Sequence, residues 1–384
     1  MLNVNAHIHT PYSFSSFSDL SQAFEMAVKE DIKVLGINDF YVTDGYEEFS
    51  KLARRHKIFP LFNFEAIALS KSMQNKGIRV NDPNNPGRAY ICGKGFNYPT
   101  TLNGKSNETL KRIEAESQRQ IVEMIYKLNG WLREINTDLV FSYDNVRHNY
   151  ARRLVRERHI AQAVRVSVFE HYHDNEQRKE ILQKIYDDKP VGVDINDVAA
   201  LENEIRNNLL KAGKKAFVPE DEKAFLSIEQ TLEIIISAGG IPCYPVLLDD
   251  AAGNFTEFEA DMEHLRQSLI NLRIYCIELI PQRNRLEIME PFVRYFYENG
   301  FAVTLGTEHN APGLFPLTPC CSGKVPLTDF LRQVNYEGAC IIAANQHLHN
   351  KGEQGYINDK GNAQTNKRRE MTELGDTVIR EWTE

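Results

Sequence analysis

No two of the six cysteines stand at the spacing of a metal ribbon. Cys92, Cys243, Cys276, Cys320, Cys321 and Cys340 include no CxxC pair. The adjacent Cys320 and Cys321 suit neither an easy mutual disulfide nor a zinc ribbon. All six read as free thiols of a reducing compartment. An excess of positive charge is missing as well. Lys and Arg number 45 against 53 Asp and Glu, a net charge of −8, which argues against a general nucleic-acid or anionic-membrane binder. A local basic pocket for a phosphate stays open. There is no basic stretch leading into an apolar leader and no apolar run of membrane-spanning length. Internal repeats and low-complexity tracts are absent too. The expectation is a soluble, cytoplasmic protein with no membrane partner.

What is present favours a packed core: 42% of the residues are apolar, and 384 residues make one large domain or one domain carrying an insertion. Short apolar runs alternate with helical patterns over the first hundred residues. LNVNAHIH, IKVLGIND, IFPLFNFEAIAL and RAYICG read as strands, with DLSQAFEMAVKED and GYEEFSKLARRHK between them as helices. This rhythm implies parallel strand–helix–strand units and an α/β barrel or open sheet. From about 105 to 220 long, charged, helically periodic stretches take over, as in ETLKRIEAESQRQIVEMIYKLNGWLREIN. They read as a helical insertion. The strand–helix alternation resumes at SIEQTLEIIISAGGIPCYPVL, where Gly239-Gly240 reads as a helix stop. It continues to FAVTLGTEHN. The expected division is therefore an α/β barrel from 1–104 and 221–349, helices from 105–220, and a polar tail from 350–384 with a short helix.

His7 and His9 alternate with Ile8, so on a strand both imidazoles face one way. Two neutral imidazoles aimed together at a strand end give a metal two nitrogen ligands. Alone, such a pair is outweighed by chance placement of two histidines. Three later candidate strand ends carry Asp39, Glu65 and the Glu308-His309 pair. Each carboxylate by itself is more often a helix cap or a surface charge. Four strand ends bearing an imidazole or carboxylate point together to a metal site, because parallel α/β folds assemble their sites at the carboxyl ends of strands.

These residues carry a resemblance. HIHTPYS is similar to the HxHTxxS opening of the polymerase and histidinol phosphatase (PHP) superfamily of metal-dependent phosphoesterases. GINDFYVTDGYEEFSKLARRHKIFPLFNFEA, CIELI and LGTEHN resemble later motifs of that family, in its order, across residues 1 to 310. RRLVRERHIAQAV resembles a stretch of its nucleotide-type members, which also carry a helical insertion, although Glu157 takes an arginine place and Arg158 the variable one. The resemblance implies a distorted (β/α)7 barrel with an inserted helical domain. It implies a first metal site of His7, His9, Glu65 and Glu308, and an alternative register adds His309. At the second and third sites the family's ligands are replaced: Tyr90 and Tyr244 stand at one, Phe14, Phe40 and Asn310 at the other. A neutral phenol, with a pKa of about 10, is a poor ligand.

One divalent ion (Zn, Mn or Fe) rather than three is the expectation, with Asp39 beside it as general base or water-orienting acid. Arg158 and His159, with Arg152, Arg153 and Arg156, form a candidate clamp for phosphate or carboxylate. The bland alternative is a solvated helix face. Arg88, Lys94 and Arg283 are weaker candidates of the same kind. Tyr12, Phe14 and Phe17 could rim the pocket or pack in the core, and His171, His173, His347 and His349 read as surface residues. The expected function is a metal-dependent phosphoesterase acting on a small phosphorylated or nucleotide-like substrate. The alternatives are a one-metal hydrolase of another bond, or a silent barrel that binds a ligand or partner.

Overall fold

The computed structural model describes residues 1–249, 253–358 and 360–384. The chain begins with β1 (Asn3–Ile8), α1 (Leu20–Lys29), β2 (Ile32–Phe40), α2 (Tyr46–His56) and β3 (Phe59–Leu69). A short α3 (Lys71–Asn75) precedes β4 (Arg88–Lys94). Five helices then follow without a strand: α4 (Gly104–Glu134), α5 (Tyr143–Tyr150), α6 (Glu157–His171), α7 (Asn175–Ile185) and α8 (Val198–Ile205). The alternation returns with α9 (Ile228–Ser237), β5 (Ile241–Val246), α10 (Met262–Asn271), β6 (Cys276–Leu279), α11 (Leu286–Glu298) and β7 (Ala302–Leu305). Helices α12 (Asp329–Asn350) and α13 (Arg368–Thr383) end the chain.

Local chemistry explains these elements. In α2, Glu47 and Glu48 fall in the first turn and Arg54, Arg55 and His56 in the last, matching the helix dipole at both ends. Its buried residues Tyr46, Phe49 and Ala53 follow helical spacing. Helix α9 starts on a Ser227–Gln230 capping box and stops before Gly239, whose φ of 73° a residue with a Cβ adopts only with strain.

The strands form one seven-stranded sheet in chain order, curled into a nearly closed barrel surrounded by helices. β1–β2–β3 and β5–β6–β7 pair in parallel. β4, by contrast, runs antiparallel to both its neighbours, against the expected parallel rhythm. Between β3 and β4 lie only the five-residue α3 and the turn-rich segment NDPNNPG, no helix long enough for a crossover, so the chain doubles back. One result is that β4 begins, rather than ends, near the carboxyl end of β3.

Backbone hydrogen bonds close β1 onto the segment after β7 at the upper rim. There the Glu308 amide donates to the His7 carbonyl at 2.9 Å and the His9 amide to the Glu308 carbonyl at 2.7 Å. Below, the Asn335 side chain on α12 bridges the seam, donating to the Val4 carbonyl and accepting from the Leu305 amide. Gln346 does the same for β3 at Phe62 and Pro60. α12 thus crosses the lower end of the barrel, and its Ala339, Ile342 and Ala343 pack with the inward Val34, Leu61 and Cys276. The helical segment keeps an apolar cluster of its own, including Met124, Leu128, Val164 and Leu201. The start of α4 joins the barrel's cluster through Leu110 and Ile113. Residues after 350 lead into α13, 16 residues long, packed on α12 where Gly375 meets the Cys340 carbonyl. Among the described residues no helix is long and apolar enough to cross a membrane, and the six cysteines are free.

Candidate metal centre

His7, at the end of β1, and His9, just beyond it, turn inward. The loop after them is held by a buried carboxylate. Asp39 Oδ1 accepts from the Thr10 amide at 2.8 Å and from Ser13 Oγ at 2.6 Å, while Oδ2 accepts from Thr10 Oγ1. Burial pushes Asp39 up from its ordinary pKa, against the pull of His9, Ser13 and Thr10. Ser13 Oγ has spent its proton on Asp39, so its lone pairs accept from His9 Nδ1 at 3.3 Å. The His9 proton is therefore fixed on Nδ1 and its Nε2 lone pair points into the barrel. Burial lowers the His9 pKa, with Glu308 and Asp39 opposing.

His7 receives parallel treatment. Its Nδ1 lies 2.7 Å from Glu278 Oε1, a carboxylate that only accepts, so here too Nε2 carries the lone pair. The two Nε2 atoms sit 3.2 Å apart, and Glu65 Oε2 lies 3.2 Å from His9 Nε2 and 3.7 Å from His7 Nε2. A tetrahedral ion with bonds of about 2.1 Å spaces its ligands by about 3.4 Å. The triangle matches. Two lone pairs and a carboxylate converge in this buried place, with Asn38 Nδ2 as a donor 3.1 Å from His7 Nε2, and the donor set fits a divalent ion. Glu65 is pushed up to about 8, first by burial and further by Glu308 and Glu278, with His7 and Lys94 opposing.

Behind the triangle stands a buried ion pair. Lys94 Nζ donates to Glu278 Oε2 at 2.6 Å and to Asn38 Oδ1 at 3.2 Å. Burial alone would raise Glu278, but Lys94 and His7 hold it down at about 2. A second group, His7, Cys92 and Glu278, also has donor atoms near one another. Its Glu278 already carries the Lys94 ammonium.

Glu308 and His309 both adopt positive φ, 66° and 53°, an uncommon strain at a strand end. Glu308 turns its carboxylate to Arg283. Burial would raise its pKa, but Arg283, His7 and His9 hold it below the ordinary value. The structure does not bring His309 into the cluster. Its Nδ1 contacts Thr307 Oγ1 at 2.8 Å, its Nε2 contacts the Phe315 carbonyl at 2.9 Å, and Phe17 and Phe315 stack on its ring.

A cavity of about 550 Å³ opens above the triangle, between the barrel rim and the helical segment. His7, Glu65 and Glu308 lie at its base, and Phe14, Phe40, Tyr90 and Asn310 line it. Tyr244 does not: its hydroxyl donates to the buried Glu259 at 2.7 Å. Asp39 and His159 are likewise absent from the lining. His159 is buried, its Nδ1 accepting from the Arg156 amide at the start of α6, and burial followed by Arg156 lowers its pKa to about 3. It shapes the clamp from behind.

Arg156 and Arg158 do face the cavity, their guanidinium groups over the Phe40 and Phe14 rings at 4.9 and 5.5 Å. Among the described residues neither has a carboxylate partner; Arg158 donates to Asn203. Arg88 and Arg283 there are paired with Glu220 and Glu308. Arg152 and Arg153 instead pair with Glu48, Asp44 and Glu114, tying the turn before α6 to α4 and to the start of α2. Tyr12 joins that tie through Glu48. His171 and His173 are exposed, His347 and His349 half-buried.

Sequence reasoning singled out His7, His9 and Glu65, which the fold gathers. It did not single out Glu278, Asn38 or Cys92, and it ranked Lys94 low. A charged residue inside an apolar strand, as in CIELI, is the signal that marks Glu278.

Neither family models nor curated proteins match the chain. Solved structures do. A protein from Bifidobacterium adolescentis designated a metal-dependent phosphoesterase superposes with a TM-score of 0.54 at 15% identity, over 86% of this chain and 94% of that one. An amidohydrolase from Chromobacterium violaceum, solved with bound sulfate and no metal, gives 0.52 at 16% identity, over 86% and 96%. At such identities the similarity establishes the shared barrel fold.

Proposed function

We propose that this protein is a metal-dependent hydrolase of small anionic esters, most readily phosphate esters. One divalent ion would be held by His7, His9 and Glu65, with Glu308 as the further donor at the same rim. The observation that carries the reading is the 3.2, 3.2 and 3.7 Å triangle at the base of a cavity walled by two arginines without carboxylate partners. When bound, the ion supplies a Lewis-acid charge against the negative charge developing at the reacting centre.

The chain's own residues do the rest. Arg156 and Arg158 bind the substrate's anionic oxygens, held flat by Phe40 and Phe14 so that little freedom is lost on binding. Phe14, Phe40 and Tyr90 keep the second and third ligand places of the resembled family free of donors, which supports a single ion. The helical segment 105–220 serves as the substrate-binding cap. Asp39 acts through Ser13 to orient His9, a positioning role in place of the expected general base. Cleavage of an amide or carboxylic ester at the same centre is the second reading, favoured by the single donor triangle, since one ion suffices to polarise a carbonyl.

Elemental analysis of the purified protein, with hydrolysis assays on aryl phosphates, phosphodiesters and amides, tests both. One ion per chain, lost in His7→Ala, with phosphate release is the expected outcome. An Arg156→Ala, Arg158→Ala pair should raise KM about tenfold or more while sparing kcat, by loss of charged hydrogen bonds worth about 1.5–3 kcal/mol each. Absence of stoichiometric divalent metal would overturn the proposal.

A further inference from the structure

We infer that Lys94 is a positioning residue whose buried ammonium dictates which nitrogen of His7 carries the proton, leaving the Nε2 lone pair to face the metal triangle. The inference rests on the metal reading of His7, His9 and Glu65. Lys94 is fully buried and only donates, and two side chains accept from it. One is Glu278, whose Oε2 takes the ammonium at 2.6 Å, with Thr304 Oγ1 adding a donor at 3.3 Å, and whose Oε1 is left for His7 Nδ1 at 2.7 Å. The other is Asn38. Its Oδ1 takes the ammonium at 3.2 Å, which turns its amide nitrogen towards His7 and Glu65.

Polarity thus runs one way through the network. Donor Lys94 meets acceptor Glu278, the acceptor fixes a proton on His7 Nδ1, and the lone pair is left on Nε2 beside His9 and Glu65. The same ammonium supplies the countercharge that a buried carboxylate requires. No direct contact between Lys94 and the triangle is needed. A permanent cation placed on β4, where a barrel strand reverses direction, sets the chemistry of β1 through β6.

An isosteric change exposes this logic. In Glu278→Gln the amide oxygen must serve Lys94, which has only protons to offer, so the amide nitrogen is turned to His7 Nδ1. The His7 proton then moves to Nε2, the lone pair leaves the triangle, and Asn38 Nδ2, 3.1 Å from that nitrogen, must turn away. Zinc affinity should fall by about ten- to a hundredfold, the range for losing a carboxylate that orients a ligating histidine. Adding Lys94→Met frees the amide to turn its oxygen back to His7, so the double variant should bind zinc more tightly than Glu278→Gln alone.

The experiment is zinc titration of wild type, Glu278→Gln and Lys94→Met/Glu278→Gln, with ¹⁵N spectra of His7 in each metal-free protein. The expected result is an Nδ1–H tautomer in the wild type, Nε2–H in the single variant, and return towards the wild type in the double variant. A wild-type tautomer in Glu278→Gln, or a double variant no better than the single one, overturns the inference. If the wild type binds no zinc the metal reading fails, while the tautomers still decide this inference. A purely structural role for Lys94 predicts further loss in the double variant, not rescue.

Discussion

Metal affinity should depend steeply on pH, for a reason that lies in one carboxylate. Glu65 is pushed up to about 8 by its burial, with Glu308 and Glu278 adding to the effect. A ligating carboxylate must be ionised, so at pH 6 only about one molecule in a hundred is ready to bind, and at pH 8 about half. Between those values the apparent affinity should rise about fiftyfold, about 2.3 kcal/mol at 1.36 kcal/mol per unit. An ordinary glutamate would give a flat profile there. Burial lowers the His9 pKa, which reduces what its imidazole adds to the slope.

Calorimetric titration in buffers of different ionisation enthalpy reads both quantities: close to one proton released per ion at pH 6 to 7, falling towards zero above pH 8. Glu65→Gln should abolish the slope together with most of the affinity. Stability of the metal-free protein must move the opposite way. A carboxyl raised in the folded state holds its proton more tightly than in the unfolded chain, so its contribution is lost as pH rises through about 8. Affinity that is flat from pH 6 to 8 would refute the reasoning, because Glu65 would then be neither the ligand nor the titrating group.

Two other outcomes follow from the supports of the site. Asp39→Asn replaces acceptors by one oxygen and an amide nitrogen facing three donors from Thr10 and Ser13. It should cost about 1–3 kcal/mol in urea unfolding and weaken metal binding, and unchanged stability would remove the role assigned to Asp39. Asn335→Ala leaves the Val4 carbonyl and the Leu305 amide without their partner. A loss of about 1–3 kcal/mol for each group is expected, and a variant as stable as the wild type would show that the seam closes without α12.

The strand–helix alternation was readable because each element carries its own signal: the 2-residue period of β1, the charged ends and apolar stripe of α2, the glycine stop after α9. The reversal at β4 was not, since RAYICG has the same pattern whichever way it runs. Direction is decided by the preceding loop, which has no helix long enough to cross over. At the site, His7, His9 and Glu65 sat at strand ends where sequence reasoning looks first. Glu278 and Lys94 lie in mid-sheet on β6 and β4, the two neighbours of β5, and meet over that strand. His309 shows the limit of residue type as a guide. Its imidazole is as good a ligand as any, yet Thr307 and Phe315 occupy both its nitrogens.

The rim closure of the barrel has a temporal side. His7 and His9 are among the first residues of the chain, and the segment that fastens β1 to β7 arrives late: the Asn5–Thr307 contact spans 302 positions of sequence. Closing so long a loop is entropically slow. Glu278, which holds His7 from the far side, lies 271 positions further along, so β1 has His7 unsupported on that side until that part has been made. The His7–His9–Glu65 triangle can gather within β1 to β3, but the far side of His7 is fixed only when β1 has met β6 and the segment after β7.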